Sequence, residues 1–458
     1  MPDKRFPLRP LIQAALLASV LGTGLSALAQ SAGEVEFARG VGFAQTPGQT
    51  PRTLGKGLPL QEGDRLTTSD GASAIIKLQD GTRMTIRPNS ELVLQQYQFK
   101  ENADNNSMVM SLLRGGLRAV TGLISKSSPN AARIQTNTAT IGIRGTDFDA
   151  RICAKDCGAE GAKTGETARP NAAQASARVV NSQGEINAVD TAGQRRRLVD
   201  GGSVYPGDLV ETGQGTRAVL AFRDESKVTL GATTRFRVDN FVYDEKNPTE
   251  GRFLVSLLRG SVRALTGLIG KANTRNVGYS TATATIGIRG TGFDLTCTGP
   301  CANEAGDGST GLTLFTWLGS IVVTQQGQTA LQELTAGNGL FISSTGVRPI
   351  TTPPAIEGPR PDGVTTPPSL FSTNNISEDQ DGLFVFVRDG HIEVTTSREI
   401  LQLGKGEAGF AGADGGASRP STIPRFMDFD RLPMPNSKNP MLASVLGEAG
   451  VRKANQCQ

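Results

Sequence analysis

Ile76, Leu78, Met84 and Ile86 alternate with Lys77, Gln79, Arg83 and Thr85. A period of two describes a pair of half-buried strands. Asp80-Gly81 stands between the two runs and predicts a tight hairpin turn. The pattern returns 144 residues later, where Leu220, Phe222, Val228 and Leu230 take the inward places. A further strand is expected at Leu92-Val93-Leu94 and again at Phe236-Arg237-Val238. Tyr97 and Phe99 are answered by Phe241 and Tyr243.

The two halves are a duplication. Residues 111–149 and 256–294 align without a gap at an offset of 145, with 24 of 39 positions identical. Self-similarity on this scale marks a repeated structural unit. A shorter unit recurs four times, from Glu34, Ala177, Leu312 and Leu383. Each is a β-rich run, a polar turn with glycine and a second β-rich run, and each reads as a short hairpin. The Ala177 unit is placed to close the first domain and open the second, which would stack the halves in a partly solenoid-like manner.

The expected fold class is all-β: two tandem β domains with partly solenoid-like stacking, plus a small C-terminal β-hairpin. The expected organisation begins with a signal peptide over 1–29 and a first domain over 34–157. A linker over 158–176 leads to a second domain over 177–347, with 177–205 a candidate for sharing with the first. A proline-rich linker follows over 348–381, carrying Pro353, Pro354, Pro367 and Pro368 among others. A hairpin unit over 382–412 is expected to dock as an extra strand pair on one of the domains. The tail over 413–458 is expected to be mostly disordered, apart from one short helix near 441–449.

Charge and composition narrow the function classes. Lys and Arg total 47 against 43 Asp and Glu, so the net charge of +4 gives no general drive toward nucleic acid. The run Arg195-Arg196-Arg197 reads as a solvated turn between strands. The single histidine, His391, leaves little room for histidine-based catalysis or zinc binding. It follows Asp389-Gly390 and reads as a solvent-exposed turn residue. Lys4, Arg5 and Arg9 precede an apolar stretch to Leu28, and Ala27-Leu28-Ala29 fits a small-x-small cleavage site. Nothing later in the chain offers a membrane-spanning apolar run. The mature protein is expected in the oxidising periplasm, without a stable membrane span.

The segment Thr-x-Thr-Ala-Thr-x-Gly-Ile-Arg-Gly-Thr-x-Phe-Asp, at 136–149 and 281–294, resembles the signature of the FecR domain family. The Asp80-Gly81-Thr82 turn and the region around Gly319-Ser320 resemble it too. The resemblance covers roughly residues 57–342. It implies a periplasmic β domain of the kind found in sensor segments of iron-uptake regulators. Those regulators carry a cytoplasmic anti-sigma domain before a membrane helix. Here about ten residues precede the apolar stretch, so the iron-signalling role is not carried over.

Two groups of residues are candidates for chemistry. Gly142, Arg144, Gly145 and Thr146, with their counterparts Gly287, Arg289, Gly290 and Thr291, suggest a tight bend presenting an arginine. Each arginine either binds an anionic ligand in bidentate fashion or braces its own domain; bracing is the preferred reading. The same choice applies to Arg114, Arg118, Arg259 and Arg263. Cys153/Cys157 and Cys297/Cys301 occupy equivalent places, and in an exported chain the first reading is one local disulfide per domain. A four-thiolate zinc site joining the repeats is the alternative. Cys457 is left over.

Phe315, Trp317, Phe384 and Phe386 read as strand residues packing the core rather than as a sugar platform. Asp147 and Asp149 resemble paired carboxylates, but the second copy has Gly292 and Asp294 there. No phosphate-loop, nucleophile-elbow or His-Glu-x-x-His motif is present. The leading expectation is an exported, non-enzymatic binding or scaffold protein that contacts an envelope protein or glycan, with no cofactor. A sensory component acting through a separate membrane protein is the first alternative, and a polysaccharide-acting enzyme the second.

Overall fold

A computed structural model describes residues 31–427, except 104, 128–130, 166 and 172–174. The expected signal peptide with Ala27 and Ala29, the helix near 441–449 and Cys457 lie outside the described residues.

The protein is all-β, and the described residues form two large sheets of 15 strands each and one small two-stranded sheet. Inward positions of the alternating runs drive this arrangement: Ile76, Leu78, Met84 and Ile86 are buried in one core, and Leu220, Phe222, Val228 and Leu230 in the other. The hairpin at Asp80-Gly81 closes as read, with the Leu78 N–H donating to the Thr82 carbonyl at 2.8 Å and Gly81 at φ +85°.

Each repeat is organised around two 14-residue strands: Ser107–Val120 with Thr140–Cys153 in the first, and Arg252–Leu265 with Ala284–Cys297 in the second. Thr140–Cys153 serves two neighbours in turn. Its first part pairs with Ala132–Gln135 and its second, from Asp147, with the far end of Ser107–Val120. Between them, at Arg144–Thr146, the register breaks and the strand bends, as an irregularity of this kind does.

The order of the chain differs from the order of the sheets. Thr140–Cys153 is closed by Gly382–Thr395, and Ala284–Cys297 by Gly311–Gln325. The first sheet is therefore completed by residues that follow the entire second sheet. The 382–412 unit is an integral part of the first sheet, where Gly382–Thr395 pairs with Ile400–Gly404 and with Ala408–Gly412.

The expected sharing of 177–205 does not occur as strand pairing: Ala177–Gln183 pairs with Ser203–Val204 and Arg217–Phe222, both of the second sheet. The place that a shared strand would fill beside Thr140–Cys153 is taken by Gly382–Thr395.

None of the four short units closes into a hairpin at its glycine. Gly311–Gln325 and Gly382–Thr395 run straight through Leu318-Gly319 and Asp389-Gly390 as single strands. Ser31–Arg39 and Gly42–Gln45 pair with different neighbours rather than with each other. In the two later units the physical reason is a close backbone crossing. Gly390, at φ +83°, lies so near Gly145 that an added Cβ would meet its carbonyl oxygen at 2.4 Å. Gly319 meets Gly290 in the same way, also at 2.4 Å. A glycine needed for close approach carries the same local signature as a hairpin glycine.

The segments read as linkers are ordered where described. Cys157–Thr164 is a helix, and Arg169–Pro170 pairs with Thr422–Ile423. From Ile350 the chain lies along the second domain as a strap. Thr229 Oγ1 donates to the Pro359 carbonyl at 2.8 Å, Ile356 is buried, and Arg360 stacks over the Trp317 ring at 4.2 Å. It then returns to the first domain, where the Gly158 N–H donates to Asp379 and Arg425 pairs with Glu378. The expectation of disorder beyond 413 fails for 417–427: Phe426 and Met427 close a small core with Phe384, Phe410 and the Cys153–Cys157 pair.

Candidate functional site

The Gly-Ile-Arg-Gly-Thr motif forms the strand bend in both copies. Gly145 and Gly290 both adopt φ +64°. Thr146 is anchored by its N–H donating to Thr121 Oγ1 at 2.7 Å, and Thr291 by its N–H donating to Thr266 Oγ1 at 3.3 Å. Gly142 and Gly287 lie on the regular strand just before the bend.

The two arginines then part company. Arg289 is largely exposed, with Glu333 3.9 Å away. Arg144 is largely buried, with Glu393 at 3.7 Å, and its Nε and Nη1 have no hydrogen-bond partner among the described residues. Both contacts are longer than a hydrogen bond. Position decides the difference: Arg144 faces the seam where the second domain packs on the first, whereas Arg289 faces outward.

That seam is held by a buried charged cluster that the sequence reading did not single out. Arg178, from the second domain, is fully buried and pairs with Glu407 of the first. It also donates to the Gly201 carbonyl and to Ser203 Oγ, both at 2.9 Å. Arg419 donates to the Gln402 carbonyl at 2.7 Å and lies 3.6 Å from Glu407. Burial alone would raise the Glu407 pKa, but Arg178 and Arg419 outweigh it and hold the carboxyl below its ordinary range.

His391 is also buried here, bonded to the Gln402 side chain, which in turn donates to Glu393 at 2.6 Å. Its expected exposed position is therefore corrected: with Asp389-Gly390 in a continuous strand, the next residue points into the seam. Burial pushes its imidazole down to about 4, with Arg178 and Arg144 acting in the same direction.

The duplication locates this cluster in hindsight. By the repeat offset and strand register, Arg178 corresponds to Glu34, His391 to Ser320 and Glu407 to Asn338. The copies diverge where only one of them meets a neighbour.

The remaining candidates are structural. Cys153–Cys157 and Cys297–Cys301 are disulfides, with Cα atoms 5.6 and 5.2 Å apart, which removes the four thiolates required by the zinc alternative. Arg118 grips Asp147 at 2.7 and 2.9 Å. Asp149 is fully buried against Arg388; burial pushes its carboxyl up to about 7, and Arg388 and Arg118 pull it the other way. Asp294, its counterpart, accepts from Arg263 at 2.9 Å and from the Trp317 indole at 3.0 Å. Both acids are buried.

Arg114 and Arg259 lie at the surface, paired with Glu91 and Glu304. In the basic run, Arg195 pairs with Glu211 and Arg196 with Asp208, so this is an edge strand rather than a turn. Phe315, Phe384 and Phe386 are buried, while Trp317 is half-buried under Arg360. Among the described residues no helix is long and apolar enough to cross a membrane.

The comparisons with known proteins fit this duplicated architecture. No curated protein matches the chain. Two crystal structures of a candidate anti-sigma factor from Parabacteroides distasonis align at 14% identity and a TM-score of 0.24. The alignment covers 31% of this chain and 59% of that one, a likeness too slight to carry an argument. The family model for FecR protein matches residues 64–161 and 208–313, one region in each sheet. The protein carries two tandem copies of the FecR domain.

Proposed function

We propose that the protein is an exported, non-enzymatic binding module of the cell envelope that engages a partner protein through its second FecR domain. One observation carries this reading. In the first domain the edge strand Ile400–Gly404 is covered: Leu401, Gln402 and Leu403 are buried, and Gln402 lies against Gly201 of the second domain. The equivalent strand of the second domain, Leu331–Thr335, pairs on one side only, and Leu331 is 71% exposed. The surface by which one FecR domain holds a neighbour is thus open on the other. An open strand edge suits β-addition by a partner.

The seam's charged cluster supports a rigid role for the module, because it fixes the two domains relative to each other. The enclosed positions of Asp149 and Asp294 weigh against hydrolytic chemistry of the paired-carboxylate kind, which needs carboxylates within reach of substrate.

A photoreactive residue placed at Leu331, with a control at exposed Val41 of the first domain, tests the reading in the native envelope. A specific protein adduct from position 331 and none from 41 is the expected result. Adducts only from 41, or none from either, would sink it. Export is checked by the N-terminus of the periplasmic protein, expected at Gln30.

A further inference from the structure

A cleft of about 780 Å³ lined by charged side chains lies along the seam, between the bend of the first FecR domain and the edge strand Arg195–Leu198 of the second. Its volume is in the range of small-ligand sites. Six cationic side chains line it, Arg144, Lys126, Lys405, Arg195, Arg196 and Arg197, against the acids Asp190, Asp208 and Asp389.

Existing pairs account for only part of this charge. Arg195 and Arg196 are held by Glu211 and Asp208, and Lys405 by Asp389. Asp190 is occupied by the N–H groups of Ala192 and Gln194. Lys126 and Arg197 are exposed and stand in no ion pair among the described residues. Among the described residues Arg144 has only its 3.7 Å approach to Glu393, and its unpartnered Nε and Nη1 are themselves closed off from the cleft's solvent, so a ligand reaches them as the Glu393 contact opens. A largely buried arginine lacking partners is costly unless an anion completes it. His391, held neutral, adds no charge but fixes the wall of the cleft through Gln402.

The second copy provides an internal control. Its equivalent cleft, about 860 Å³ beside Gly290 and Thr291, includes Lys271 in the place of Lys126. That cleft adds Phe222, Leu265, Leu318 and Phe371 to a balanced set of charges, Arg223 and Lys227 against Glu225 and Asp362, and Arg289 is not part of its wall. The same motif therefore places its arginine on a cleft wall in one copy and outside the cleft, in solvent, in the other.

We infer that the seam cleft binds a small oligoanion, a ligand bearing at least two phosphate or carboxylate groups, with Arg144 as its central contact and Lys126 and Arg197 at its rim. The exposed Arg197 guanidinium can match either group in bidentate geometry. The ligand competes with the long Glu393 contact rather than with a closed pair. Because it bridges side chains of both domains, it also tightens the seam. This inference is independent of the partner surface at Leu331, and either can fail alone.

Calorimetric titration of the full-length mature protein tests it, with inorganic pyrophosphate in one arm and digalacturonate in the other. The arms distinguish phosphate from carboxylate chemistry. One-to-one binding of at least one probe is expected, weakening as salt rises. R144Q is expected to weaken it about tenfold, corresponding to about 1.4 kcal/mol. R197Q, at the exposed rim where folding is not at stake, is expected to weaken it several-fold, and R289Q to leave it unchanged. Absence of binding by both probes at millimolar concentration would overturn the inference. So would binding unaffected by R197Q and R144Q, or R289Q weakening it as much as R144Q does.

Discussion

Arg178 and Glu407 form an ion pair with both side chains out of solvent, although 229 residues separate them in the chain. The pair joins the strand that opens the second sheet to a turn of the first sheet's closing segment. Breaking a buried pair from one side leaves the other charge stranded, which costs far more than the pair contributes over an apolar substitute. R178A is therefore expected to lower unfolding stability by about 3–5 kcal/mol. The double replacement R178M/E407M should lose clearly less than the sum of the single changes. Chemical denaturation of the wild type, R178A, R178M, E407M and the double variant checks both points.

The seam should weaken in acid. His391 is pushed from 6.5 to about 4 by burial, so above pH 6.5 it is neutral whether the chain is folded or unfolded, and it takes nothing from stability. Between pH 6.5 and 4 the unfolded chain takes up a proton that the folded one refuses, and stability falls as pH falls. The full loss from this group amounts to about 3 kcal/mol. H391Q removes the titration, and its stability should decline less than wild type between pH 7 and 4.5. Equal slopes for the two proteins would contradict this account.

Gly390 and Gly319 should be intolerant of a side chain to a similar degree. In both, an added Cβ meets a glycine carbonyl oxygen at 2.4 Å in a left-handed backbone conformation. Each alanine replacement is expected to cost about 1–3 kcal/mol or more. Gly81, with a similar φ but open space around it, should lose less. Thermal unfolding of the three alanine variants gives the comparison.

Trp317 is the only tryptophan in the chain and reports on the strap, since Arg360 stacks over its ring at 4.2 Å. R360A is expected to shift the indole emission to the red and to speed protease cleavage within 351–371. The stacking itself contributes about 0.5–1 kcal/mol, so global stability should hardly change. An unchanged spectrum would place the strap elsewhere in solution.

Much of this protein was legible from local pattern. Alternation places Ile76, Leu78, Met84 and Ile86 inside, because a strand presents successive residues to opposite faces. The duplication is visible because 24 of 39 residues repeat, and the cysteine spacing suits a local disulfide because four residues can bring two Cα atoms within bridging range. Tertiary structure alone decided the rest. Asp389-Gly390 has the signature of a turn, yet the backbone of Gly145 crosses there and the strand continues, which carries His391 inside. Nothing near Thr140–Cys153 in the chain announces Gly382–Thr395 as its partner, since strand pairing depends on register and shape across hundreds of residues. Arg144 and Arg289 share one motif, and only the packing of the second domain on the first buries one and leaves the other in solvent. Local sequence sets what each segment does by itself; the seam exists because two such segments, far apart in the chain, exclude water from the same charges.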